Sequence, residues 1–416
     1  MNRRRITGTA ISFAAALLLL PLVTRGETPA PGGGYRIVYR DTSVKGAEHM
    51  RIVRDDGPMV VNVVRVAPRS GLKVTTVLSG DRVAGGAPVY EHTTSMCQRV
   101  GCHFAVNADF ANLATGEPVG GAVVAGQFVR SPVPHHQQFM VSNRGRASAG
   151  HMSWSGTVTD PGALLRPAFS LGFHGVNVAR QTDQIVLYTG HWAASTGTNN
   201  AGVEILARVV EAGGPVPASH TIAIELVELR SHDTAIPPWG VVLSGTGAGA
   251  RSLRDMWARR GRGELASRLQ LTVHAPDAEM TSVGGYPVLV EDGRPVYLSA
   301  NDGFTRSRHP RTVAGRTADG TILLVTVDGR QPCCSIGMTL PETADLMVAL
   351  GAVEAINLDG GGSTTFVAHG VMVNHPSTQI VFRDGRTIVD GTPTRSDLVL
   401  AHLQRPVTTA LVVVPE

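Results

Sequence analysis

The stretch AINLDGGGSTTFV, Ala355–Val367, constrains this chain more than any other. Ala355–Leu358 has the pattern of a short buried strand and ends in the carboxylate of Asp359. Gly360, Gly361 and Gly362 follow, and then Ser363 and two β-branched threonines resume an extended, apolar run. Glycine turns sharply without a φ penalty and lets backbone N–H groups come close to a ligand. Successive N–H groups in such a turn form an anion-binding concavity. A carboxylate beside an amide-lined hollow is what hydrolysis of an anionic substrate needs. The plainer reading is a hairpin turn in which Asp359 bonds its own turn amides.

The residues upstream favour the first reading. Thr321–Val327 reads as a buried strand that runs into Asp328-Gly329-Arg330. Thr339 is placed to cap a helix, with Pro341 in its first turn and Glu342 near its positive end. Leu346, Met347 and Leu350 form the apolar face of that helix, and Gly351 stops it. Strand, helix and strand in this order predict a βαβ crossover, with Asp328 and Asp359 at the same edge of one sheet. Ligands bind beyond the carboxyl ends of such strands. Two carboxylates, Arg330 and a glycine loop therefore converge on one crevice.

The rest of the chain sets the frame. With 48 Gly and 25 Pro among 416 residues, many short strands and turns are expected rather than a helical bundle. The fold class predicted is α+β: a strand-rich, mixed twisted β-sheet core with packed helices, including the C-terminal βαβ unit. Residues 89–102 and 252–268 read as helices, and 151–275 as a more variable, strand-rich part. Residues 1–26 read as a secretory signal peptide, with Arg3, Arg4 and Arg5 before an apolar run too short to span a bilayer comfortably. That segment holds four arginines and no acid, which is the whole formal net charge of +4. The remainder is balanced, so the charge gives no support for nucleic-acid or membrane binding. A linker and N-terminal strands over 27–59, a main domain over 60–402 and a tail over 403–416 complete the division. Cys97, Cys102, Cys333 and Cys334 suit an exported protein with up to two disulfides. Of the three pairings, those joining Cys333 and Cys334 to Cys97 and Cys102 are favoured, because adjacent cysteines rarely bond each other. His135 and His136 follow Pro-Val-Pro in a loop read as solvated.

An ordered set of segments resembles one family, the phosphodiester glycosidases. The matching pieces are VNADF (Val106–Phe110), GEPVGG (Gly116–Gly121), GGYPVLVEDG (Gly284–Gly293) and HPRTVAG (His309–Gly315). Stronger still are LLVTVDGR (Leu323–Arg330), GMTLPETADLM (Gly337–Met347) and INLDGGGSTTFV (Ile356–Val367), followed by NHPS (Asn374–Ser377). Ala108 and Asp109 stand where many relatives have two glycines, and Arg395 is the candidate for a final arginine of the family pattern. The resemblance implies cleavage between a sugar's anomeric carbon and a phosphodiester oxygen, for example in an N-acetylglucosamine-1-phosphodiester. Asp359 is then the expected catalytic carboxylate, with Asp328 supporting it. Asn107 and Asp109 are expected to position the sugar. Arg311, Arg330 and the amides of Gly360, Gly361, Gly362 and Ser363 are expected to hold the phosphate charge. No cofactor and no metal are expected, a divalent cation on the clustered carboxylates being the alternative. The partner implied is a phosphate-bearing glycan, with no nucleic acid and no stable membrane insertion after signal cleavage. Localisation is expected to be periplasmic, envelope or extracellular. Two rival readings are a non-catalytic envelope protein that binds phosphate-containing glycans and a hydrolase with Ser363 as nucleophile.

Overall fold

Among the described residues strands account for 44% and helices for 12%, so the core is mostly β and not the predicted α+β arrangement of a mixed sheet with packed helices. The structure is a computed structural model that describes residues 32–416, except 84–88, 163–166, 211–215, 297, 300–301, 384–385 and 390–397. The signal-peptide reading and Arg395 therefore lie outside the described residues. The physical reason for the correction is the spacing of glycine and proline punctuation, which leaves few uninterrupted stretches long enough for a helix. The predicted helices are present but short: Thr93–Val100 and Leu340–Ala349, with the longer Gly247–Gly261 starting earlier than the sequence pattern placed it.

One eight-stranded sheet carries the C-terminal motifs. Its central strands are, in order, Met59–Val66, Ile322–Val327, Arg311–Thr317 and Ala352–Asn357, every neighbouring pair antiparallel. The Ile322–Val327 and Ala352–Asn357 strands are thus not a paired βαβ unit. Each runs antiparallel to the Arg311–Thr317 strand between them, so their carboxyl ends still emerge on one side, where the middle strand begins. Arg311 pairs with Val327 and Val313 with Asn357, which sets Asp328, Arg311 and Asp359 along a single edge. The connecting helix is fixed by the predicted cap: Thr339 accepts from the Glu342 N–H while the Glu342 carboxylate accepts from the Thr339 N–H. Leu340, Ala344, Leu346 and Met347 bury against Val313, Val325 and Ala355 of the sheet.

A second, five-stranded sheet covers the other face. Phe104–Asn107 lies in it between Phe366–Ala368 and Thr409–Pro415, and Thr409–Pro415 also pairs with Leu72–Leu78. The segment read as a C-terminal tail is therefore a core strand, with Thr409–Val414 buried throughout. Phe104, Val106, Ile356, Leu358, Phe366 and Leu411 interleave between the two sheets. Residues 155–274 contribute all eight strands of a separate sheet with its own core, backed by the Gly247–Gly261 helix.

The favoured cysteine pairing is also overturned. The bonds are Cys97–Cys102 and Cys333–Cys334. Gly101, in the left-handed region with φ 66°, ends the first helix and turns the chain so that the Cys102 N–H donates to the Cys97 carbonyl, which leaves the two Cα atoms 4.9 Å apart. The adjacent pair sits at the exposed tip of a tight turn closed by Gln331 and Ser335.

Candidate active site

Asp359 leaves its strand at the mouth of the two-sheet sandwich, partly exposed. Its N–H donates to the Ala108 carbonyl at 2.7 Å, and its carbonyl accepts from the Asn107 side chain at 2.7 Å. Burial pushes its carboxyl up to about 6, against the pull of the Ser363 hydroxyl, Arg405 and the Gly360 amide, while the nearby Asp109 charge adds to the rise. Asp359 is thus a carboxylate that is ionised at neutral pH yet basic enough to accept a proton.

Asn107 is fully buried, and both ends of its amide are engaged. Besides the Asp359 carbonyl it engages the Thr312 hydroxyl at 2.8 Å and the Thr365 N–H at 3.0 Å, both donating to its Oδ1. It ties both sheets to the glycine turn from a buried position. Asp328, 2% exposed, is likewise occupied: Oδ1 accepts from the Asn374 amide at 3.0 Å and Oδ2 from the His375 N–H at 3.2 Å. Its carboxyl is raised above the usual range by burial. Asp328 therefore anchors the NHPS turn from below and does not share an open hollow with Asp359.

The cations gather on the other side of the glycine turn. Arg311 is 1% exposed, and it donates to three carbonyls, Met338 at 2.9 Å, Phe304 at 3.1 Å and Ser307 at 2.8 Å. Among the described residues no carboxylate pairs with it. Burial, helped by the Arg330 charge, pulls its guanidinium down to about 10. Arg330 is exposed, stands in the left-handed region at φ 58°, and reaches to 3.5 Å from the His309 ring. Burial and the two arginines lower the His309 value, so His309 faces the cluster as a neutral ring at neutral pH.

Three of the four amides expected to hold the anion are engaged within the protein, and the Gly362 N–H is not among them. Gly361 N–H donates to the Pro310 carbonyl, Ser363 N–H to the Gly360 carbonyl, and the Gly360 amide supports Asp359. What the turn needs is room. A Cβ on Gly361, which sits at φ +61°, would lie 3.1 Å from the Arg330 guanidinium, and one on Gly362 would lie 2.4 Å from that of Arg405. Two arginines pack directly onto bare backbone. Sequence reasoning missed Arg405, half-buried just before the last strand, because nothing near it in the chain marks it.

Asp109 completes the acidic side. It is 2% exposed, its N–H donates to the Thr409 hydroxyl, and its Oδ2 accepts from the Gly120 N–H at 2.7 Å. His136 is half-buried against it and not solvated as the sequence implied. Phe110, Pro134, His135, His136, Tyr286 and Phe304 line an open hollow of about 420 Å³. Among the described residues, no group of three or more His, Cys, Asp or Glu side chains is placed to hold a metal ion. Nor is any described helix long and apolar enough to cross a membrane.

A mouth with a proton-accepting carboxylate on one side, arginines on the other and an aromatic pocket beside them suits an anionic sugar derivative. Comparison with known proteins gives the same direction. Residues 236–414 match the phosphodiester glycosidase family model. The resemblance to that family drawn from the motifs therefore stands. The match contains Arg311, Asp328, Arg330, Asp359 and Arg405 but neither Asn107 nor Asp109. The SPbeta prophage-derived protein YomE of Bacillus subtilis is 37% identical over 83 residues, 20% of this chain and 12% of that protein. The N-acetylglucosamine-1-phosphodiester alpha-N-acetylglucosaminidase of Bos taurus is 42% identical over 67 residues, 16% of this chain and 12% of that enzyme. The matched stretches thus span about an eighth of the length of these relatives. A crystal structure of a protein from Burkholderia pseudomallei K96243 has a TM-score of 0.61 at 20% identity, covering 94% of this chain and 98% of the other. At that identity the likeness is one of fold.

Proposed function

We propose that this chain is an exported hydrolase that cleaves the glycosidic bond of a sugar-1-phosphodiester in glycans or cell-envelope polymers. The observation that carries the reading is the partly exposed Asp359, its carboxyl raised to about 6, set across a glycine turn from Arg330 and Arg405. In this reading the phosphodiester lies against the arginines and the sugar enters the aromatic pocket. The bond between the anomeric carbon and the phosphodiester oxygen breaks, and the electron pair leaves with the phosphate. A phosphate is a weak base, so its departure needs its charge held more than it needs a proton. Asp359 takes a proton from the attacking water, whose oxygen bonds to the anomeric carbon. Asn107 and Asp328 act as positioning residues under the turn. Arg311 lends fixed positive charge from the floor without touching the phosphate. Export is supported by the character of residues 1–26.

The test is direct: the pure protein is incubated with a panel of sugar-1-phosphodiesters and assayed for free reducing sugar. Release from at least one member is expected, and its loss in Asp359→Asn identifies the carboxylate. Binding without release across the panel would overturn the reading in favour of a glycan-binding envelope protein.

A further inference from the structure

Two buried polar side-chain atoms beside the site approach each other without bonding. Asp109 Oδ1 and His136 Nε2 are 3.7 Å apart, and neither has a hydrogen-bond partner. That separation is too long for a hydrogen bond, and buried polar groups left unpaired are costly. The arrangement is built from three separate elements. Asp109 follows the Phe104–Asn107 strand, and its Oδ2 is already held by the Gly120 N–H at 2.7 Å, so Oδ1 has a fixed aim. His135 takes the left-handed region at φ 67°, which turns His136 inward while His135 stays exposed. On the Thr281–Gly285 strand, a Cβ on Gly284 would lie 2.3 Å from Asp109 Oδ1, so the carboxylate can pack there only because residue 284 has no side chain.

A hydroxyl group suits this pair. It donates its hydrogen to the Asp109 carboxylate and accepts from the His136 Nε2–H, so one oxygen satisfies both atoms. The pocket walls supply the rest of a sugar site. Phe110, Tyr286 and Phe304 line it, and Tyr286 and Phe304 are 50% and 37% exposed, leaving apolar ring surface for the C–H face of a pyranose. Asp109 also lies close enough to Asp359 for their charges to interact, which puts the pair near the reacting carbon.

We propose that Asp109 and His136 read one ring hydroxyl of the sugar, and so restrict the substrate to pyranosides that carry it free. This rests on the glycosidase reading above, and it goes beyond it by naming the group recognised and the residues that recognise it. A sugar deoxygenated or acylated at that position leaves both atoms unpaired and is rejected.

The experiment compares the wild-type chain with His136→Ala and Asp109→Asn on hexopyranose 1-(methyl phosphate) substrates and their monodeoxy analogues. Binding of the corresponding methyl hexopyranosides is measured in parallel by calorimetry. The wild type is expected to lose at least about tenfold in kcat/KM and in affinity for one deoxy position. In either variant that position no longer matters, while the KM for the parent rises by a similar factor. Asp109→Asn keeps an acceptor for Gly120 and the side-chain shape, and His136 sits on a partly exposed loop, so at least one variant remains folded. Equal discrimination by wild type and variants, no sensitive position, or no binding of any methyl hexopyranoside would overturn the proposal. Methyl hexopyranoside binding with this pattern but no hydrolysis would leave the hydroxyl pair standing and sink the hydrolase reading instead.

Discussion

Asp359 carries opposite consequences for activity and stability. Its folded value of about 6 exceeds the ordinary carboxylate value of 3.8, so the folded state holds its proton more tightly than the unfolded chain. Below the ordinary value the group is neutral in both states and has no effect. As pH rises through the interval to about 6 it increasingly opposes folding, and above that the full cost applies. Asp359→Asn is therefore expected to reduce kcat by a factor on the order of 10³ or more while raising unfolding free energy at pH 7 by about 3 kcal/mol. Kinetics and urea denaturation on the same preparation check both. In the wild type, kcat/KM should rise through an acid limb near pH 6 and flatten above it. A profile that falls there would assign Asp359 to proton donation. Asn107→Ala leaves the Thr312 hydroxyl, the Thr365 N–H and the Asp359 carbonyl without their partner. A loss of about 2–4 kcal/mol in denaturant unfolding is expected. The places of Asp359 and Arg330 just beyond strand ends were legible, because each lies within three residues of a strand. Whether Asn107 faced ligand or core was not, since a polar residue at a strand end reads the same in both cases. Arg405 and His136 were hidden for another reason: their partners are distant in the chain and adjacent only after folding.

At the level of elements, the strand–helix–strand passage shows which signals travel well from sequence. The cap residues Thr339 and Glu342 and the stop at Gly351, with φ 88°, appear where local chemistry placed them. Local interactions decide a cap, so a local reading finds it. The pairing of the flanking strands depends instead on a third strand from elsewhere, Arg311–Thr317, and no feature between Thr321 and Asp359 announces it. The cysteines fail for the opposite reason: the bond is local, and the turn at Gly101 brings Cys102 back to its own helix. Thr339→Ala is expected to cost about 1 kcal/mol in unfolding free energy through loss of the cap. Since the Met338 carbonyl at that helix start accepts from Arg311, the same variant should weaken phosphodiester binding, measured as a raised KM.

For the whole molecule, the arginines make empty and occupied protein differ in stability. Arg311 is buried without a carboxylate partner among the described residues, and Arg330 adds like charge beside it. An anion at the turn relieves this, and a ligand that binds only the folded chain stabilises it by mass action. Inorganic phosphate at ten times its dissociation constant is expected to raise unfolding free energy by about 1.4 kcal/mol and the melting midpoint by roughly 2 °C. Sulfate should act similarly and chloride less, and Arg330→Ala should remove most of the shift. The division of labour among the sheets was only partly readable. Gly and Pro content pointed to strands, but the apportioning of some thirty short strands among sheets is settled by long-range pairing.

The strand Thr409–Pro415 lies between Leu72–Leu78 and Phe104–Asn107, shortly after Arg405. Detaching it would withdraw a guanidinium from the anion side and at the same time unpair the strand whose final residue, Asn107, braces Asp359. Partial unravelling at this end therefore does not yield a weakened enzyme with half its apparatus intact. The apparatus is held or lost as one cooperative unit, and amide protons around Asp359 should exchange only as fast as those of that strand.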